Sequence, residues 1–202
     1  MKLYYSPGAC SLSPHIALEE AGLKYELVKA STKTHQLDDG TDFYTINPRG
    51  YVPVLELDDG RRLFENPAIS QYIADQAPDK KLAPANGSFE RYQLQSWLNF
   101  IGTVVHKNFS PLFNPNNGDD VKTNAKAAVS KRLSWVDGEL AKRPYLNGDT
   151  ASVADFYLFV VTNWTTPVGL DISGLSNLLA YRERIAARPA VQAAMQQEGL
   201  LK

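Results

Sequence analysis

Cysteine is nearly absent: the 202 residues include one, Cys10. A lone thiol excludes an intramolecular disulfide and any metal site that needs several cysteines. An excess of either charge is missing too, since 21 Lys and Arg face 22 Asp and Glu for a formal net charge of −1. That balance argues against a partner held by phosphate neutralisation, so no nucleic acid is expected. Long hydrophobic runs are lacking. The longest, Phe156 to Val161, falls far short of the roughly 20 residues that span a bilayer, so no membrane segment is expected. The opening Met1-Lys2-Leu3-Tyr4-Tyr5-Ser6-Pro7-Gly8 does not read as a secretory signal, which leaves a cytoplasmic protein as the expectation. What is present is 44% hydrophobic and 21% charged residues, the balance of a chain with a packed core.

Residues 1–80 hold 8 basic and 12 acidic side chains, and residues 81–202 hold 13 and 10. The change of sign coincides with a change of pattern. The first part has short β-like runs broken by turns, the second is helical almost throughout, and Ala77-Pro78 through Pro84-Ala85-Asn86-Gly87 reads as a linker. In the first part Met1 to Tyr5 predicts a strand. A helix starts between Cys10 and Ser13, with Pro14 in its first turn and Gly22 as its stop. Tyr25 to Val28 predicts a strand, Thr41 to Ile46 a short helix, and Val54 to Leu57 with Arg62 to Phe64 a hairpin. Asn66-Pro67 reads as an N-cap followed by proline at the first helical position. The order is βαβ, a loop, then ββα. In the second part Leu94, Trp97, Leu98, Ile101, Val104 and Val105 form one apolar stripe at helical spacing. Val121 to Leu140, Leu178 to Ala187 and Val191 to Gln197 predict further helices. Ser152-Val153-Ala154-Asp155 resembles a capping box, and the run behind it is apolar all round, as in a central buried helix.

Four places could carry chemistry. Cys10 follows a Pro-Gly turn at a predicted helix start, where orphan N–H groups and the macrodipole favour an anion. A thiol of pKa ~8.5 is about 3% thiolate at pH 7, and a shift to ~6.5 would make it roughly three-quarters thiolate. The other reading is a small buried hydrophobe. Ser13 stands where a dithiol redox motif would need a second cysteine, so only single-thiol chemistry is open. Pro53 lies just before a strand, where proline is awkward. An ordinary trans turn fits, and so does a cis bond, which would leave the N–H and C=O of Val52 free for an extended peptide. Glu65 and Asn66 sit at a helix start that could take an anion or an amino-acid end. Asn99, Thr103 and His106, at i, i+4 and i+7, share one helical face apart from the apolar stripe, with Lys107 beside the titratable ring. His15 reads as structural and His35 as part of a polar loop.

Taken together, these residues resemble a cytosolic glutathione transferase of the bacterial beta class. The resemblance rests on the stretch from Met1 to His15, on Ile46-Asn47-Pro48-Arg49-Gly50-Tyr51-Val52-Pro53-Val54-Leu55, on Trp97-Leu98-Asn99-Phe100 with His106-Lys107, and on Ser152-Val153-Ala154-Asp155. It implies a thioredoxin-like glutathione-binding domain over 1–80, followed by an all-helical domain over 87–202 with a hydrophobic second-substrate site. It implies glutathione as co-substrate, with a cis Pro53 and Val52 pairing to the cysteinyl part. Glu65 and Asn66 would hold the γ-glutamyl end, and Cys10 would face the sulfur. His35, or Lys33 in its place, would lie near the glycyl carboxylate, and Asn99, Thr103, His106 and Lys107 would complete the site. The catalytic pair would be Cys10 and His106. The implied activity is conjugation of glutathione to small hydrophobic electrophiles near Phe109, Phe113 and Trp164, with thiol–disulfide exchange at Cys10 as a second activity. A homodimer is implied. The remaining reading is a non-catalytic carrier or regulatory dimer on the same fold.

Overall fold

Residues 1–201 are described by a computed structural model. The first half folds in the expected order: β1 (Lys2–Tyr5), α1 (Leu12–Ala21), β2 (Glu26–Lys29), β3 (Val54–Glu56), β4 (Arg62–Phe64) and α2 (Asn66–Gln76). Phe43–Thr45 forms a single 3-10 turn where the sequence suggests a short helix. The strands lie in the order β2-β1-β3-β4, with β1 parallel to β2 and antiparallel to β3. This is the thioredoxin-like βαβ-ββα arrangement.

Period-two alternation explains its two covered faces. Leu3 pairs across the sheet with Leu55, and both side chains are fully buried. Tyr4 pairs with Val54 on the other face, in a cluster with Ala30, Phe43 and Val52. Gly22 ends α1 in the left-handed region at φ 66°, the backbone state that its missing Cβ permits.

The first compact unit is not continuous in sequence: it joins Met1–Ala83 to the chain from Arg188 onward. In it α8 (Pro189–Gln197) packs on α1, which also packs on α2. Helix α1 is therefore covered almost all round, and His15 within it is fully buried. A buried imidazole needs partners. His15 Nδ1 lies 2.9 Å from Glu198 Oε1, and its Nε2 lies 2.9 Å from the Tyr25 hydroxyl and 3.0 Å from Gln197 Oε1. The second oxygen of Glu198 accepts the Gly8 N–H at 2.9 Å. Arg188 adds a two-pronged ion pair to Glu20, at 2.5 and 2.8 Å. His15 is structural, as the sequence indicates.

The second unit, Pro84–Ala187, is helical. Helix α3 (Phe89–Phe100) passes into a π-helical segment, Ile101–His106, and then into α4 (Lys107–Phe113). Helices α5 (Asp119–Leu140), α6 (Val153–Asn163) and α7 (Ser176–Ala186) follow. The apolar stripe differs from expectation. Leu94, Leu98, Ile101, Val105 and Phe109 are fully buried, whereas Trp97, whose ring lies against Phe100 and Trp135, and Val104, inside the π segment, are only half-buried. Helix α6 is the central one, buried at every position from Val153 to Thr162.

Its capping box supplies the one charge in that run. Asp155, fully buried, accepts the Ser152 N–H at 2.8 Å, the Ser152 hydroxyl at 2.7 Å, the Leu146 N–H at 2.9 Å and the Tyr181 hydroxyl at 3.2 Å. Burial raises the pKa of this carboxyl, and the four donors oppose that rise. Removing it orphans two buried amides, at about 1–3 kcal/mol each. Asp155→Ala is expected to lose roughly 3 kcal/mol or more of stability in urea unfolding, with Asp155→Asn losing less.

Candidate functional site

In the first unit three chain segments converge on Cys10. The half-buried thiol donates to the Val52 carbonyl at 3.4 Å. The Val52–Pro53 bond is cis, as the resemblance implies. Behind the thiol, Asn66 Nδ2 donates to the Cys10 carbonyl at 2.7 Å, and Asn66 Oδ1 accepts from Ser70 Oγ at 3.1 Å.

Asn66 is therefore not the N-cap that its position before proline suggests. It is the first helical residue of α2, and Glu65 takes the cap position at φ 69°. The Glu65 carbonyl accepts the Ala68 and Ile69 N–H groups, and Pro67 has none to give. The Asn66 amide is thus the first-turn N–H that the Glu65 carbonyl does not take. A non-glycine residue in the left-handed region stores roughly 1–3 kcal/mol and marks functional sites more often than chance. The exposed Glu65 carboxylate pairs with Arg49 Nη1 at 2.7 Å, and the Arg49 guanidinium lies over the Phe64 ring. The sequence reading leaves Arg49 out of the site, although a conspicuous Arg in the turn before the cis proline was a signal.

Of the two readings of Cys10, an activated thiolate and a small buried hydrophobe, the structure favours a thiol that keeps its proton. Burial pushes this thiol up to about 12; the Cys10 and Ser11 amides pull the other way, and the Glu65 carboxylate adds to burial. Burial is the main cause, and the helix start does little to offset it. The Leu12, Ser13 and His15 amides donate to the Ala9, Cys10 and Ser11 carbonyls, so they close the first turn instead of facing the sulfur. The sulfur meets a carbonyl oxygen, which favours the protonated form.

His35 stands in its loop at φ 54° with its ring 4.7 Å from that of Tyr44. Gly50 makes this stacking possible, since a Cβ there would lie 2.8 Å from Tyr44 and 2.9 Å from His35. Nδ1 of His35 is buried without a hydrogen-bond partner among the described residues, and Lys33 is exposed.

In the second unit the expected common face of Asn99, Thr103 and His106 is split by the π segment. Asn99 and Thr103 are exposed, with the Thr103 hydroxyl donating to the Asn99 carbonyl at 2.8 Å, and Lys107 is exposed as well. His106 turns inward, its Nδ1 2.7 Å from the Tyr157 hydroxyl and its ring edge-on to Trp164 at 4.7 Å. Burial, with the Lys107 cation beside it, pulls His106 down to about 4, so the ring is neutral at physiological pH. Phe109 and Phe113 both meet the Trp164 ring edge-on. Phe109 is fully buried, so it acts as a brace and not as the ligand-lining residue that the sequence suggests, whereas Phe113 is half exposed. Tyr157 was read from the sequence only as part of an apolar helix.

No helix among the described residues is long and apolar enough to cross a membrane. Residues 1–75 match the family model for the glutathione S-transferase N-terminal domain, and residues 100–189 the model for its C-terminal domain. The chain is 42% identical to glutathione S-transferase GstA of Escherichia coli O157:H7, over 99% of this chain and all of that one. A solved bacterial beta-class glutathione S-transferase from Sphingomonas chungbukensis is 51% identical, with both chains fully covered and a TM-score of 0.97. A sphingomonad glutathione S-transferase solved in complex with glutathione is 50% identical, again with full coverage and a TM-score of 0.96.

As the chain's single thiol, Cys10 gives a clean readout of its own ionisation. At pH 8 a pKa near 12 leaves roughly a thousandfold less thiolate than an ordinary thiol of ~8.5. Iodoacetamide alkylation of the native protein is expected to be slow at pH 8 and to climb through pH 10 without a plateau, whereas a plateau near pH 8 would contradict the assignment. The chain belongs to the glutathione S-transferase family, and its likeness is to the bacterial beta class.

Proposed function

We propose that the protein is a cytoplasmic enzyme that binds glutathione and transfers its thiol to small hydrophobic electrophiles. The observation that carries this reading is the convergence of the Val52 backbone beside a cis proline, the Cys10 thiol and the Glu65–Asn66 helix start within one unit. Each meets one part of a γ-glutamyl-cysteinyl-glycine tripeptide. The Val52 carbonyl and N–H pair with the cysteinyl amide. The Asn66 amide at the start of α2 takes the α-carboxylate and the Glu65 carboxylate the ammonium group. His35 or Lys33 lies toward the glycyl end. The Cys10 thiol is a weak S–H donor on Val52, so an incoming amide displaces it at small cost.

Glutathione must react as a thiolate. Lowering a thiol pKa by about two units takes about 2.7 kcal/mol. Two hydrogen bonds to the anion, at about 1.5–3 kcal/mol each, suffice. A Cys10 thiol that stays protonated is one such donor, and the neutral His106 ring is proposed as a second because the family resemblance assigns it to glutathione. Asn99, Thr103 and Lys107 are proposed as further glutathione residues of the helical unit, Lys107 by its charge. Exposed Phe113 is proposed to border the electrophile.

In this scheme Cys10 donates a hydrogen bond and does not attack. Cys10→Ala is expected to keep conjugation of a chromogenic aryl halide within about tenfold of wild type. Thiol–disulfide exchange would instead need Cys10 to attack as a thiolate, and in that alternative Cys10→Ala abolishes reduction of small mixed disulfides. A conjugation rate no higher than background at saturating glutathione would sink the proposal. A carrier function is disfavoured by the set of donors around Cys10 and by the likeness to the glutathione S-transferases named above. Glutathione titration by calorimetry separates the two, because the carrier reading predicts no binding at millimolar ligand.

A homodimer is proposed as the assembled form. Trp97, Phe100 and Trp135 form a cluster of touching rings on α3 and α5, and Phe89, Tyr92 and Trp135 are each half or more exposed. Such an aromatic surface suits burial against a second copy. Sedimentation at micromolar concentration is expected to give twice the monomer mass.

A further inference from the structure

We propose that Tyr157 is a positioning residue for His106: its phenol proton holds the imidazole as the Nε2–H tautomer, so that the nitrogen turned away from Tyr157 is a donor. The inference rests on the reading of His106 as a glutathione residue and adds what sets the state of its ring.

The argument begins in α6. Tyr157 lies in a helix buried at every position from Val153 to Thr162 and is itself 3% exposed. A phenol at such a site must find a polar partner. His106 Nδ1 stands 2.7 Å from its oxygen. The direction of that bond follows from acidity. A phenol O–H is by its chemistry a far stronger acid than a neutral imidazole N–H, and an imidazole nitrogen is a stronger base than a phenol oxygen. The proton therefore stays on Tyr157 and points at Nδ1, and the ring proton goes to Nε2.

The surroundings keep the ring in this pose. It meets the Tyr157 ring at an interplanar angle of 86° and the Trp164 ring at 69°, so it is edge-on to both. Trp164 is braced in turn by Phe109 and Phe113. His106 closes the π segment Ile101–His106, and π turns occur preferentially at functional sites. Because burial and Lys107 keep the ring uncharged, the tautomer alone decides whether its free nitrogen offers a proton or a lone pair to a sulfur anion. A lone pair there would repel a thiolate.

The test is made on the full-length enzyme. Long-range proton–nitrogen NMR of the histidine rings is expected to show His106 as the Nε2–H tautomer. In Tyr157→Phe, which keeps the ring and removes only the hydroxyl, a mixture of tautomers is expected. Conjugation kcat/KM should fall about tenfold, and the bound glutathione thiol, followed by thiolate ultraviolet absorbance, should ionise about one pH unit higher. Adding Tyr157→Phe to His106→Ala should change none of these further, since the hydroxyl acts through the ring. An Nδ1–H ring in the wild type, an unchanged tautomer in Tyr157→Phe, or an additive loss in the double variant would each overturn the proposal. If His106→Ala alone retains full activity, the reading of His106 as a glutathione residue fails, whatever NMR shows for the tautomer. A loss in Tyr157→Phe with the tautomer intact would mean packing and not proton placement.

Discussion

A sulfur aimed at a carbonyl oxygen governs the chemistry available to the first unit. Cys10 is buried against Val52, and the Leu12, Ser13 and His15 amides are spent closing the turn, which leaves only the Cys10 and Ser11 amides to offset that burial. A thiol so placed holds its proton. The same residue that would attack if it faced the helix mouth is here suited to stabilising another sulfur's charge, and a transferase needs that of its protein.

A second theme is how polar groups are kept inside apolar layers. Three recur: the Glu198 carboxylate between His15 and Gly8, the Asp155 carboxylate among four donors, and the Tyr157 hydroxyl against His106. Each would be costly alone: Glu198 and Tyr157 find partners far away in sequence, and Asp155 finds them three, nine and 26 residues away. Such groups tie distant stretches together more specifically than methyl groups do, because hydrogen bonds have direction and a register error leaves them empty.

The fold was legible because its signals are local. Alternation in Met1–Tyr5, the Gly22 stop, the hairpin before Phe64 and the capping box at Ser152 each state their structure within a few residues. The site was legible only in part. That Cys10, Val52, Glu65 and Asn66 belong together came from the resemblance to a family, since no spacing rule links residues 10 and 52. The sequence left the ionisation of Cys10 open, because a helix start does not say which way the side chain points, and the direction of this thiol depends on a carbonyl 42 residues away. Asn66 was misplaced by one residue because a left-handed Glu65 is invisible in composition. The π segment was missed because an inserted turn leaves no mark on an otherwise helical pattern. Tyr157 did leave a mark: one hydroxyl in an apolar run has to be accounted for.

The first unit is completed by its last strand of polypeptide. Glu198 and Arg188 reach back to Gly8, His15 and Glu20 after the entire helical unit has intervened. On a ribosome, the sheet and its buried imidazole must wait until the helical unit has been made and Glu198 has emerged before that imidazole gains its carboxylate. Helix α1 therefore keeps one side uncovered while the helical unit, contiguous in sequence, is synthesised.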